Sequence, residues 1–257
     1  MLKVQNISYQ VKHRKILDSV SAVFPTGKIN LIIGPNGAGK TTLLKILSNQ
    51  LKPSGGSVFY GDRKSSTFST LELAKIRAVL SQNIEVCFPL TVQEVVMMGR
   101  YPHFTNKPSQ QDIEACQTTM RLFEISDLAQ QQYGTLSGGE KQRTHFARVM
   151  AQIFYAVPHY SRYLILDEPL TFLDVYYQFE FMHRLKELAQ QEDITIIGVV
   201  HDLNMAARFA DYLILLNHGR LMISGLPEEV LTVENITGVY KIMPQILKRE
   251  EGISVFF

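Results

Sequence analysis

The run Gly34-Pro35-Asn36-Gly37-Ala38-Gly39-Lys40-Thr41 constrains this chain more than any other feature. It satisfies G-x-x-x-x-G-K-[ST] where that pattern has a mechanism. A short apolar run (28–33) precedes it, and in the segment 41–51 that follows, Leu43, Leu44, Ile46, Leu47 and Leu51 fall at helical spacing. A buried strand, a curled loop and an amphipathic helix are predicted in that order. The glycines let successive backbone N–H groups turn inward on phosphate oxygens, and the helix N-terminus adds partial positive charge. Lys40 is expected to reach β- and γ-phosphates, and the Thr41 hydroxyl to ligate Mg²⁺, with Thr42 beside it. A second apolar strand, Tyr163-Leu164-Ile165-Leu166, delivers Asp167 and Glu168 at its C-terminal end, where α/β sheets bind ligands. Asp167 suits the metal shell; Glu168 suits polarisation of a water for attack on the γ-phosphate.

The rest of the chain frames that core. Residues 2–9 and 22–24 read as strands, Pro25-Thr26-Gly27 as a turn and 57–60 as a further strand, giving an antiparallel N-terminal part. From about 68 to 133 the pattern is helical, clearest over 91–99 and 110–129. The βα rhythm resumes after Leu136, with apolar runs at 163–166 and 195–200 and a strand pair around Asn217-His218-Gly219. The expected fold is α/β, one domain over 1–257, with a helical subdomain inserted at about 85–150. Lys+Arg 26 against Asp+Glu 24 leaves a net charge of +2, which gives no reason to expect nucleic acid as a partner. No run is long and apolar enough to span a bilayer, and residues 1–6 lack the apolar stretch of a secretion signal, so a cytoplasmic location is expected. Cys87 and Cys116 are too few for a disulfide framework or a structural zinc site.

Leu136-Ser137-Gly138-Gly139-Glu140-Lys141-Gln142-Arg143, lying between the phosphate loop and the acidic strand, decides the family. A chain with these elements in this order resembles the ATP-binding-cassette ATPases, over nearly its whole length. The resemblance implies ATP and Mg²⁺ as ligands and places further residues. Tyr9 stands where the family stacks an aromatic on adenine, and Gln82 matches the Q-loop glutamine at the metal and the attacking water. Leu173-Asp174 matches the D-loop, and His201 the switch histidine at the γ-phosphate. Ser137, Gly138, Gly139 and Glu140 open a helix, a second anion-binding terminus. By the resemblance, that terminus caps ATP bound to the other subunit of a head-to-tail homodimer. The sequence departs from the family at Leu170, where threonine is usual, and at Phe172, where a small residue is common.

With no membrane span of its own, such an ATPase implies a separate polytopic permease, placing the chain at the cytoplasmic face of the inner membrane. The stretch 88–103, with Thr91-Val92-Gln93-Glu94-Val95-Val96 and Gly99-Arg100-Tyr101-Pro102-His103, resembles ATPases of haem, iron–siderophore and vitamin B12 importers. Residues 82–104 are the expected permease contact, with most of Val92, Val95, Val96 and Met98 as core; a periplasmic binding protein is implied further off. The segment 152–162 is longer than the common pattern by about seven residues, and loops tolerate that at little cost. Such an extension is associated with haem importers, so haem is the expected cargo, with an iron–siderophore chelate or cobalamin as alternatives. His103, His159 and Tyr160 read as solvated loop residues rather than haem ligands. A soluble non-transport cassette, such as an iron–sulfur assembly scaffold, is the competing reading. The tail after about 232 carries no recognisable motif, though its apolar end, 253–257, suggests docking back on the domain.

Overall fold

The computed structural model describes residues 1–81, 88–171, 173–249 and 252–257. Strands β1 (Leu2–Val11) and β2 (Arg14–Phe24) form a bulged antiparallel pair, followed by β3 (Ile29–Ile33). Helix α1 (Lys40–Leu47) leads to β4 (Gly55–Tyr60), the short β5 (Arg63–Lys64), α2 (Thr70–Ile76) and β6 (Arg77–Leu80). Three helices come next: α3 (Val92–Met97), α4 (Gln110–Leu122) and α5 (Gly138–Gln152). The βα alternation then runs through β7 (Arg162–Asp167), α6 (Val175–Glu192), β8 (Ile194–Val199), α7 (Leu203–Phe209), β9 (Tyr212–Asn217) and β10 (Arg220–Gly225). Helices α8 (Pro227–Val230) and α9 (Val233–Tyr240) precede a hairpin of β11 (Gln245–Arg249) and β12 (Gly252–Phe256).

Two sheets organise these elements. A four-stranded antiparallel sheet has the order β2-β1-β4-β5, and a six-stranded sheet the order β10-β9-β3-β8-β7-β6. Within the second, β9, β3, β8, β7 and β6 are mutually parallel and β10 runs against them. Every residue of β3, β7 and β8 is buried, as strands covered on both faces require. One hydrophobic cluster lies between the two sheets and includes Leu43, Leu44, Ile46 and Leu47 of α1. The other lies on the opposite face, under α3 to α7.

The order β3-β8-β7 is what positions the site. The loops leaving the C-terminal ends of these three neighbouring strands carry the phosphate loop, His201 and the Asp167-Glu168 pair. Neighbouring strands lie about 4.8 Å apart, so the three loops open onto one edge within about 10 Å.

Several local readings change. The helical reading of 68–133 contains β6, which pairs in parallel with β7 and completes the central sheet. Helix α4 stops at Leu122 because Glu124 turns left-handed at φ 54; a separate 3-10 turn follows at Ser126–Leu128. Helix α1 likewise ends at Leu47, before Asn49 at φ 57.

Candidate active site

Gly34 leaves β3 at φ 145, and a Cβ there would lie 2.2 Å from the Leu216 carbonyl oxygen of β9, so glycine is required on both counts. Pro35 O accepts from Ala38 N–H at 3.2 Å, tightening the loop, and α1 begins at Lys40. Asn36 and Gly37 are exposed at the mouth, while Gly34, Ala38 and Lys40 are buried; Thr41 and Thr42 are half-buried in the first turn of α1. The Lys40 ammonium donates to Gly34 O at 2.8 Å and Pro35 O at 3.1 Å, so the loop's own carbonyls hold its charge at the cradle. Burial lowers its pKa; Glu168 and Asp167 oppose that shift.

The Thr41 hydroxyl donates to Asp167 Oδ1 at 3.3 Å across the gap between α1 and β7. The Asp167 carboxyl is raised above its ordinary range by burial, then by the adjacent Glu168 charge, against a smaller opposing effect from the Thr41 hydrogen bond. A buried carboxylate beside a hydroxyl is a hard oxygen pair short of positive charge, and it fits Mg²⁺. Glu168 adopts φ 52, a left-handed conformation that costs a non-glycine residue about 1 kcal/mol or more. Its Oε1 accepts a hydrogen bond from His201 Nε2 at 2.6 Å. A cleft lined by Glu168, Leu170, Thr171, Gln178, Val200 and His201 adjoins this pair.

Tyr9 lies on β1 opposite Leu17, and Leu17 with Ile16 abuts the phosphate loop at Gly39, so the half-buried ring stands one strand away from the loop. Ser137 N-caps α5 in a reciprocal box: its N–H donates to Glu140 Oε2 at 2.8 Å and its hydroxyl to the same oxygen at 2.7 Å. Those two bonds, hydroxyl first, hold the Glu140 carboxyl below its usual range. Ser137 and Gly138 are exposed and Gly139 half-exposed, leaving the helix start open to solvent. Asp174 caps α6 by accepting from Tyr177 N–H at 3.0 Å. Gln82, Cys87 and Phe172 lie outside the described residues.

Sequence reasoning missed some residues at this edge. Gln142, inside the signature run, donates to Pro169 O at 3.0 Å and ties α5 to the loop after Glu168. Gln178 donates to Leu170 O and Leu173 O at 3.3 and 3.0 Å, bracing the same loop from α6. Burial pushes the Tyr240 hydroxyl of α9 up to about 12, against a smaller opposing effect of the Gly34 backbone. No local pattern marks Gln178 or Tyr240; Gln142 was visible only as a member of its motif.

The 88–103 stretch turns out to be mostly glue. Val92, Val95 and Val96 are core. A Cβ on Gly99 would stand 2.1 Å from Arg148 O, because the 3-10 turn Met98–His103 rests directly on the backbone of α5. Arg100 is buried against Asp112, and its Nη1 donates to Ala151 O at 2.6 Å. His103 is half-buried with Nε2 2.7 Å from Gln152 O, and Tyr160 accepts from Arg63 Nη1 at 3.2 Å and packs edge-on against Phe68. The reading of His103 as a solvated loop residue is corrected on that ground; His159 and Tyr160 are exposed as expected, although Tyr160 also ties the extension to Arg63 and Phe68. Phe88 and Tyr101, 74% and 59% exposed, remain available on the surface.

A glycine-rich strand-to-helix loop, with an acidic pair and a histidine on adjoining parallel strands, defines a P-loop nucleoside triphosphatase. Residues 17–171 match the profile of the ABC transporter family, and the chain belongs to that family as an ATP-binding, ATP-hydrolysing cassette. It is 40% identical over 248 residues to hemin import ATP-binding protein HmuV of Escherichia coli O157:H7, covering 96% of this chain and 95% of that one. Against the protein of the same name from Agrobacterium fabrum it is 40% identical, covering 94% and 92%. Among solved structures, an inward-facing ABC transporter described as of metal-chelate type superposes with TM-score 0.80 at 25% identity, over 100% of this chain and 96% of that one. A bacterial ABC cassette solved as a dimer superposes with TM-score 0.76 at 26% identity, over 88% and 99%. The same cassette has been solved in a post-hydrolysis state with ADP and Pi. Among the described residues, no helix is long and apolar enough to cross a membrane.

Proposed function

We propose that this cassette powers uptake of haem through a separate membrane permease, hydrolysing ATP at two shared sites of a head-to-tail homodimer. The observation that carries the chemistry is the 2.6 Å Glu168–His201 hydrogen bond at the edge where the phosphate loop opens. Glu168 accepts the proton of the attacking water, while His201 fixes the carboxylate's direction and then faces the γ-phosphate. Lys40 exchanges the Gly34 and Pro35 carbonyls for the β- and γ-phosphate oxygens of ATP, a substitution that leaves its buried charge paired throughout. Thr41 and Asp167, with the Q-loop Gln82, would hold Mg²⁺, which would neutralise the phosphate charge. Tyr9 stacks on adenine. Ser137 and Gly138, exposed at the start of α5, and the half-exposed Gly139 cap the nucleotide held by the other subunit, with Asp174 at the seam.

The importer assignment rests on near full-length similarity to relatives named for hemin import, together with the metal-chelate neighbour. Phe88 and Tyr101 mark the permease contact within 82–104, and the helices of 85–150 form the subdomain that carries its movement to α5. A periplasmic binding protein supplies cargo from the far side, and the chain itself works at the cytoplasmic face of the inner membrane. An iron–siderophore chelate is the second reading, favoured only by that metal-chelate neighbour.

The test is reconstitution of the cassette and its genomic permease partner in proteoliposomes with haem and ferric siderophore as competing cargoes. ATP-dependent accumulation of haem, lost in Glu168→Gln, is expected. Accumulation of the siderophore alone would reassign the cargo, and haem transport undiminished in Glu168→Gln would remove the catalytic assignment.

A further inference from the structure

The C-terminal hairpin has no motif, yet it is attached to the switch segment. Helix α7 begins two residues after His201. Asp202 Oδ1 caps it, accepting from Asn204 N–H at 2.7 Å and Met205 N–H at 3.0 Å. That cap fixes the helix start from within. From outside, the Asn204 side chain pairs with one residue of β12 in both directions. Its Nδ2 donates to Val255 O at 3.0 Å, and its Oδ1 accepts from Val255 N–H at 2.8 Å. The carboxamide thus imitates a neighbouring strand and takes up both main-chain groups of Val255, whose own side chain is buried in the core under α7. The β11–β12 ladder pairs Ile246 with Val255, so the hairpin holds Val255 from the other side.

We infer that the hairpin is a brace for the switch histidine, and that Asn204 is a positioning residue through which β12 sets the direction of His201 toward Glu168. The inference rests on the hydrolytic reading of Glu168 and His201 given above. Asn204 touches neither nucleotide nor metal residues; it fixes the first turn of α7, and the peptide running back through Asp202 carries His201. A hydrogen bond of 2.6 Å to Glu168 leaves little slack, and misplacing a catalytic group by about 1 Å from a distance can lower turnover by about a hundredfold. Lys40, Thr41 and Asp167 sit on α1 and β7, not on α7, so ATP affinity should be spared.

The experiment compares steady-state ATP hydrolysis by the full chain with Asn204→Ala, Asn204→Asp, a truncation after Pro244 and the truncation carrying Asn204→Ala, with Glu168→Gln as control. Asn204→Ala should lower kcat by about tenfold or more with KM for ATP changed by less than about twofold. Asn204→Asp still accepts from Val255 N–H but cannot donate to Val255 O, so it should fall between. The truncation should reproduce the Asn204→Ala loss, and the combined variant should be no slower than the truncation, because both changes remove one interaction. Melting temperatures recorded alongside separate turnover from folding. Wild-type kcat in Asn204→Ala with Glu168→Gln inactive would overturn the brace and leave the hydrolytic reading standing, as would a loss borne by KM. Should the truncated chain not fold, the ordering wild type, Asp, Ala at position 204 decides alone: equal kcat in all three overturns the brace. Normal turnover in Glu168→Gln would remove the hydrolytic reading, and the brace with it.

Discussion

Replacing Arg100 by methionine tests whether the 3-10 turn of Met98–His103 is held to α4 and the signature helix by one buried charge. Both side chains of the Arg100–Asp112 pair are 3% exposed, and Nε lies 2.8 Å from Oδ1. Methionine keeps the stem but strands Asp112 in the interior and frees Ala151 O. Breaking a buried pair from one side costs about 3–5 kcal/mol, and an orphaned carbonyl about 1–3 kcal/mol more. The Ser109 N–H and hydroxyl still serve Asp112 Oδ2, at 2.9 and 2.6 Å, which argues for the lower end of both, about 4 kcal/mol in all. That is a large part of the stability of about 5–15 kcal/mol that a folded domain holds. In the wild-type chain, burial pushes the Asp112 carboxyl up, but the Ser109 and Arg100 hydrogen bonds outweigh it and leave its pKa lowered. The wild-type pair therefore contributes stability above the ordinary carboxylate range and loses it as pH falls through the folded value. Without the guanidinium the Arg100 hydrogen bond and charge are lost while the Ser109 hydrogen bonds stay, so the folded carboxyl protonates more readily than in wild type and acid narrows the difference. Urea unfolding should show a gap between wild type and Arg100→Met of about 4 kcal/mol at pH 7 that narrows as pH falls through the carboxylate range. A gap under about 1 kcal/mol, or one that ignores pH, would refute the reasoning.

Other outcomes follow from single contacts. Gly99→Ala places a methyl 2.1 Å from Arg148 O; the turn must lift off α5, and the variant should melt at least several degrees lower in calorimetry or fail to accumulate in soluble form. Burial pushes the buried His145 down to about 4, while its Nε2 stays 2.8 Å from the Tyr133 hydroxyl. The unfolded chain takes up this proton below about 6.5 and the folded chain only near 4, so stability falls across that window by up to about 3 kcal/mol, and His145→Gln should flatten that part of the pH–stability curve. Lys40→Met should abolish binding of a fluorescent ATP analogue, and leaving the buried Gly34 carbonyl without its donor should lower stability by about 1–3 kcal/mol in urea unfolding.

How much of this was readable from the sequence depended on how locally each feature is encoded. The phosphate loop, the acidic strand and the signature run declare themselves within a few residues, and β3, β7 and β8 appear as unbroken apolar runs because both their faces are covered. Strand β6 does not. It is four residues long, follows α2 without a break, and only its pairing with β7 makes it a strand. The start of β2 at Arg14 was hidden by bulges and by Ser19 at φ 51, which break the two-residue alternation. Gly99 and Arg100 could be recognised as a family run, but their packing against α5 depends on backbone proximity that no spacing rule contains. The Asn204–Val255 pairing joins residues 51 positions apart and leaves no trace in either neighbourhood.

The central claim is that ATP joins two copies of this chain, each completing the other's site. Light scattering on Glu168→Gln measures it most directly, since that variant should bind ATP without consuming it. With ATP and Mg²⁺ the mass should double from the 29.2 kDa of one chain and return on removal of nucleotide; Ser137→Arg, which obstructs the exposed start of α5, should prevent the doubling. A chain that hydrolyses ATP at its full rate while scattering as a single copy at every nucleotide concentration would contradict the account.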